Sequence, residues 1–335
     1  MKALICFIIS STLVLERVEA RGWTNLRGQA FEADYVSSDG QTVTLRAGGK
    51  DVPYPLAQLS PADRDFVKET LARTATPIRK GLLKDYVMHT SMFPTPAGHF
   101  AEPQRQAVLK AFSAGAYKPS NPGTAKEWLM RDPAVDLCMV YVPASYDGTK
   151  PYGVYVHISP GNGGDFPAAW HPVFDEMRMI AVCARSAGND TPMMRRVMLS
   201  MDALATVRKD YRIDAGRVVV GGLSGGGHMA MLSAAMYPDV FKGTISHAAQ
   251  SYLGSQGTGS HFPGLTVKSF RTGPRAKMKW IVISGDKDKN YAEIQKTSKQ
   301  WLQEKLDYRF LDVPGMGHAN AAPDKLKEAL LWIGM

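Results

Sequence analysis

The sequence lacks most features that would settle its class at a glance. It has no apolar run of the ~18–20 residues that a bilayer-crossing helix needs, which excludes a polytopic membrane protein. No segment recurs at a fixed period, so a solenoid or propeller is not expected. Only 3 of 335 residues are cysteine, too few for a disulfide framework. No Cys/His cluster has metal-ligand spacing, so neither a structural zinc nor any other metal is expected. Gly163-Gly164 is not followed by the Lys-Ser/Thr of a phosphate loop, and no cofactor is expected. A concentrated patch of one charge is also missing. Forty Lys and Arg against 31 Asp and Glu give a net charge of +9. The cations are scattered, however, and the densest stretch, Lys268–Lys279, is short. The excess reads as ordinary solvation, not as a nucleic-acid face.

What is present begins with a 44% hydrophobic content, enough for a sizeable core. Residues 1–20 stand apart. Lys2 precedes an apolar stretch, Ala3–Leu15, and Val18-Glu19-Ala20 offers a small-x-small cleavage signal. This is the pattern of a secretory signal peptide, and it predicts a secreted or periplasmic protein. Cys138 and Cys183 lie in apolar runs. Buried thiols are the expectation, with a single bridge between them as the alternative in an oxidising compartment.

Residues 21–72 read as short strands and turns. Phe31-Glu-Ala-Asp-Tyr-Val36 and Thr42-Val-Thr-Leu-Arg46 are strand-like, with turns at Ser38-Asp-Gly40 and Ala47-Gly-Gly-Lys50. Ser60-Pro61-Ala62-Asp63 opens a helix: Ser as N-cap, Pro at the first helical position, Asp three residues after the cap. The pattern predicts a small antiparallel β-barrel. Arg21-Gly-Trp-Thr, Ala33-x-Tyr-Val, Asp39-Gly, Val43-x-Leu and Leu59-Ser-x-x-Asp63 resemble the Sla-type homology module, an SH3-like barrel. That resemblance implies a short-peptide partner. Residues 73–130, punctuated by prolines, are expected to be a linker and packing segment, with a helix over Gln104–Phe112.

Over residues 131–335 strand-like and helical runs alternate, which predicts an α/β domain with a mostly parallel sheet and flanking helices. Val135–Val142 and Val154–Ile158 are expected as strands joined by a hairpin loop at 144–150. Helices are expected at Met194–Tyr211, His228–Tyr237, Ala292–Leu306 and Asp324–Ile333, and further strands between them.

The chemistry concentrates at strand ends. Gly222-Leu-Ser224-Gly-Gly226 is a G-x-S-x-G motif with an apolar strand before it and an apolar helix after it. That context would set Ser224 on a sharp strand-to-helix turn with its hydroxyl exposed. The Gly225 amide, at the helix N-terminus, would face a developing oxyanion. Serine needs a base, and the order Ser, acid, His is followed downstream. Gly285-Asp286-Lys-Asp288 ends one strand, and Gly-x-x-Asp spacing favours Asp288 over Asp286 as the acid. Pro314-Gly-Met-Gly-His318 ends the next and supplies the base. The second oxyanion donor is expected in Ser159-Pro-Gly161-Asn162-Gly-Gly164, where proline cannot donate; Gly161 is the first choice and Asn162 the other. Asn162, His228 and His247 are expected to line the pocket, and the Gly/Ser loop 254–260 with His261 to border it. His157 is expected to be structural.

These residues resemble the α/β-hydrolase superfamily, in the secreted esterase group that includes polyhydroxybutyrate depolymerases and feruloyl or acetylxylan esterases. Tyr141-Val-Pro-x-x-Tyr146-Asp, Lys150-Pro-Tyr and Tyr211-Arg-Ile-Asp214-x-x-Arg217-Val are further landmarks. The resemblance implies a serine esterase with a Ser224-His318-Asp288 triad, an acyl-enzyme intermediate, no cofactor, and ester substrates that include polysaccharide-linked or polymeric ones. One departure is that Ser159-Pro160 stands where many members carry His-Gly. Two other readings stay open: a prolyl-oligopeptidase-like peptidase, and a non-catalytic binding protein led by the SH3-like module.

Overall fold

A computed structural model of the chain describes residues 21–75, 77–92, 105–108, 110, 132, 136–253, 262 and 264–335. The expected export signal, the 254–260 loop, His261 and most of the 73–130 segment beyond residue 92 lie outside these. Of the expected helix at 104–112, residues 105–108 and 110 are described, and they are helical. The chain divides into two compact units, one ending at Pro77 and the other running from Ile78 to Met335.

The first unit is an antiparallel meander of β1 (Arg21–Thr24), β2 (Ala30–Ser38), β3 (Thr42–Ala47) and β4 (Lys50–Pro55), in that spatial order. These strands form a separate antiparallel sheet, and the segment after β4 returns to its β1 edge: Asn25 bridges Leu59, the Leu26 N–H donates to the Gln58 carbonyl at 2.9 Å, and the Ser60 N–H donates to the Thr24 carbonyl at 2.8 Å. Pro53 and Pro55 lie in β4, where proline has no N–H to give a further partner. Helix α1 (Pro61–Ala75) follows. Its start is the capping arrangement read from the sequence. Ser60 Oγ accepts the Asp63 N–H, and the Asp63 carboxylate accepts the Ser60 hydroxyl. Trp23, Val43, Leu45, Leu59 and Val67 form the core.

The second unit is built on an eight-stranded sheet of order β12-β11-β10-β9-β7-β8-β6-β5. Its strands are β5 (Gly81–Val87), β6 (Leu137–Val142), β7 (Tyr152–Ile158), β8 (Met179–Ala184), β9 (Ile213–Leu223), β10 (Gly243–His247), β11 (Lys279–Ser284) and β12 (Tyr308–Asp312). Strands β7 to β12 run parallel, and β6 runs antiparallel to both β5 and β8. This strand order, with its antiparallel second strand, is the α/β-hydrolase fold. Strands β7, β8 and β10 are buried along their whole length, as strands covered on both faces must be.

Helices α3 (Met193–Asp210), α4 (Gly225–Met236) and α5 (Tyr291–Gln303) cover one face, packing Met194, Val197, Leu232 and Trp301 against the sheet. Helices α2 (His171–Met177) and α6 (Pro323–Ile333) cover the other with Phe174, Leu326 and Leu330. Cys138 belongs to the first cluster and Cys183 to the second, so the sheet separates them, and both are free thiols. Burial raises both thiol pKa values, that of Cys138 to about 12.

Two expectations change. Residues 81–87, expected within a linker segment, form the edge strand of the main sheet. Strands β6 and β7 are not a hairpin, because β8 lies between them. The connecting loop is drawn onto the core instead. The Tyr146 ring packs edge-on to Tyr152 and Tyr211, and its hydroxyl accepts the Arg212 N–H at 2.6 Å.

Candidate active site

Parallel strands present their carboxyl ends on one edge of the sheet, and the sequence-predicted chemistry lies there. Ser224 directly follows β9 and caps α4. Its backbone holds φ 54° and ψ −123°, a region that side chains with a Cβ seldom enter. The Ser224 N–H donates to the His247 carbonyl at 2.9 Å, which fixes the turn to β10. Gly226 lies hard against the Ile158 carbonyl at the end of β7, where a Cβ would collide. A glycine there lets α4 start this close to the sheet. Among the described residues, no group accepts the Gly225 N–H, so this donor stands open at a helix N-terminus.

Asp288 lies in the turn after β11, and its side chain is fully buried. Its carboxylate accepts the Ser284 hydroxyl at 2.7 Å, the Asn290 N–H at 3.0 Å and His318 Nδ1 at 2.8 Å. Asp286 does other work. Its exposed carboxylate accepts the Gly315 N–H at 2.5 Å, and that bond lowers its pKa. The two bonds together dock the β11 turn on the loop that carries His318. With Nδ1 bound to a carboxylate, the proton of the neutral imidazole stays on Nδ1 and the basic lone pair is on Nε2. The His318 side chain is 23% exposed, so the ring is held at one nitrogen and is partly open to solvent.

The loop after β7 departs from expectation. The Gly161 N–H donates to Ser159 Oγ at 3.2 Å, and Ser159 Oγ donates to Asp165. The first-choice second donor is thus turned inward. The Asn162 side chain is also engaged, as a strap to the loop after β8. Its Nδ2 donates to both oxygens of Asp190 at 3.0 Å, and its Oδ1 accepts the Gly188 N–H at 2.8 Å. The Asn162 backbone N–H remains without an acceptor among the described residues.

His228 lies one turn along α4 from Ser224, half-buried, with Nδ1 3.0 Å from the Ser251 hydroxyl. His247 does not line a pocket: it is wholly buried. Its Nε2 lies 3.2 Å from the Tyr155 hydroxyl and its Nδ1 accepts the Ala321 N–H at 3.3 Å. Burial first, and the neighbouring His157 second, push its pKa well down. His157 is buried too, with neither ring nitrogen bonded among the described residues, and burial lowers its pKa to about 3. One residue at the site has no signal in the sequence. Asn189, in the loop after β8, lays its carboxamide against Gly225, so a Cβ there would collide with Asn189 Oδ1. Among the described residues no group of three or more His, Cys, Asp or Glu is arranged to hold a metal.

The prolyl oligopeptidase family profile matches residues 200–275, a segment that includes Ser224 but neither Asp288 nor His318. No curated protein sequence matches the chain. Among solved structures, the chain is similar to an S-formylglutathione hydrolase from Staphylococcus aureus, at 14% identity over 61% of this chain and 96% of that one, TM-score 0.45. A ferulic acid esterase shares 18% identity over 59% and 91%, TM-score 0.46. An esterase from Thermogutta terrifontis shares 18% identity over 64% and 97%, TM-score 0.47. The fold assignment rests on the strand order and not on these likenesses.

Proposed function

We propose that the chain is an exported serine hydrolase of carboxylic esters. One observation carries the reading: a buried carboxylate, Asp288, holds His318 by Nδ1, on the sheet edge where Ser224 occupies a strained turn. In this reading Ser224 Oγ attacks the ester carbonyl carbon while His318 Nε2 takes the hydroxyl proton. The tetrahedral oxyanion is met by the Gly225 N–H and, with Gly161 turned inward, by the Asn162 N–H. Collapse expels the alcohol, which receives the proton from His318. Water, activated by the same nitrogen, then hydrolyses the acyl-serine. Asp288 fixes the imidazole tautomer and stabilises its charged form. Residues 1–20 act as the export signal, and the N-terminal unit is an appended module of SH3 type that takes a short peptide.

Fluorophosphonate labelling with peptide mapping tests this. The expected result is an adduct on Ser224 that His318→Ala abolishes. A folded protein without that adduct refutes the reading. The match to the prolyl oligopeptidase family favours one second reading, a peptidase using the same residues. Turnover of aminoacyl amides in preference to the matching esters would select it.

A further inference from the structure

Strand β10 is the one strand among β9 to β12 whose following turn carries none of the three proposed catalytic residues. Its last residue and the next nevertheless bond to all three segments that do. The His247 carbonyl accepts the Ser224 N–H at 2.9 Å. The Ala248 carbonyl accepts Asn290 Nδ2 at 3.1 Å, two residues beyond Asp288. His247 Nδ1 accepts the Ala321 N–H at 3.3 Å, three residues beyond His318. Ala248 itself holds φ 54°, and its N–H is bound to the Ile283 carbonyl at 2.9 Å. A non-glycine residue keeps such a conformation only where its surroundings over-determine it.

The His247 side chain is fixed on every side. A backbone N–H can only donate, so Nδ1 is the bare nitrogen and the ring proton is on Nε2, directed at the Tyr155 hydroxyl. The Trp170 ring lies 5.2 Å away, and its indole N–H donates to the Ala321 carbonyl at 2.9 Å. The Ala321 residue is therefore gripped at both its N–H and its C=O. On the opposite side, the His318 loop is docked on the β11 turn through Asp286, Lys287 and Asp288.

We propose that the His247–Ala248 corner is the positioning element of the site and His247 its positioning residue. Through its carbonyl and Nδ1 it sets where Ser224 and His318 stand relative to each other. This rests on the serine-hydrolase reading above. A misplacement of about 1 Å can cost on the order of 100-fold in rate, so the grip on Ala321 has a kinetic signature.

The test compares His247→Asn with His247→Gln in the full chain. Asparagine sets its Oδ1 near the place of Nδ1 and can accept the Ala321 N–H. Glutamine reaches towards Tyr155 instead and leaves Ala321 unpaired. The expected result is that H247Q loses about 10–100-fold in kcat and in fluorophosphonate labelling rate, with KM within about 2-fold. H247N is expected to recover most of that loss. Equal losses in the two variants, or losses that follow Tm and not the acceptor, overturn the proposal. Should H247Q not fold, Asn290→Ala at a half-buried loop position removes the bond to Ala248. It is expected to lower kcat about 3–10-fold with KM unmoved, and an unchanged kcat overturns the proposal. A wild-type protein that forms no Ser224 adduct refutes the enzymatic reading and this inference with it. Normal wild-type labelling with an equally fast H247Q refutes the inference alone.

Discussion

Asp63 in the first unit and Asp288 in the second are both buried and well bonded, and the two differ in what lies beyond them. In the first unit Asp63 accepts Arg21 at 2.6 Å, the Thr24 N–H at 2.8 Å and the Ser60 hydroxyl at 2.8 Å. The Arg21 guanidinium is in turn stacked 3.8 Å above the Phe66 ring and 4.5 Å from Trp23. Every bond ends inside the fold, and the cation is permanent. In the second unit Asp288 also has three partners, but one is an imidazole whose other nitrogen is unengaged among the described residues. Burial and hydrogen bonding alone do not separate the two carboxylates. What sets Asp288 apart under the proposed function is a titratable partner with a second ring nitrogen.

That comparison can be broken or sharpened by substitution. The largest effect is expected for Asp288→Asn. It keeps the shape but loses the charge and favours the wrong imidazole tautomer, so kcat should fall about 10⁴-fold while the fold persists. Steady-state kinetics beside circular dichroism checks it; a loss under tenfold would put Asp288 in the same class as Asp63.

The next effect concerns pH. An unfolded histidine takes up a proton near ~6.5, whereas folded His157 does so only near about 3, and folded His247 well below its ordinary value. Between those limits the unfolded state binds more protons, so stability falls as pH falls, by about 1.4 kcal/mol per pH unit per histidine. All of this sits in the second unit, since residues 21–77 contain no histidine. Calorimetry from pH 7 to 4 should show its transition moving down much further than that of the first unit. Parallel movement of the two transitions would contradict the assignment.

Smaller again is Asp63→Asn. Leaving Arg21 without its counter-charge should destabilise the first unit by about 3 kcal/mol, read as a lower first transition, with kcat within twofold of wild type. A fall in kcat would show that the division between the units is not functional. The smallest effect belongs to Asp286→Asn, an exposed position, where a kcat change under threefold is expected. A larger loss would mean that docking through Gly315 is as important as the Asp288 bond.

What the sequence made legible was local. The Ser224 turn is visible because strand, glycines and helix are contiguous, and the Ser60 cap because its partner is three residues away. Spacing ranked Asp288 above Asp286. The structure adds why Asp286 stays away from the imidazole: its carboxylate is turned onto Gly315. What stayed hidden depends on pairing across distance. Gly81–Val87 is short and mixed in polarity, and becomes a strand only against β6. The β6–β7 connection looks like a hairpin until β8 intervenes. The Gly161 N–H points inward because Ser159 Oγ is there to take it. His247 reads as a pocket residue from its place after a strand, yet Tyr155 and Ala321, 92 and 74 residues away, draw it beneath the site.

The two thiols on opposite faces of the main sheet make the second unit self-reporting. In a chain starting at Arg21, Cys138 and Cys183 are the only cysteines, and a native sheet shields both from a water-soluble maleimide. Cys138 becomes reactive only when the packing on its face of the sheet opens, and Cys183 only when the packing on the opposite face does. The ratio of adducts at the two positions, followed in time under weakly denaturing conditions, therefore shows which side of the molecule opens first, without introducing a probe.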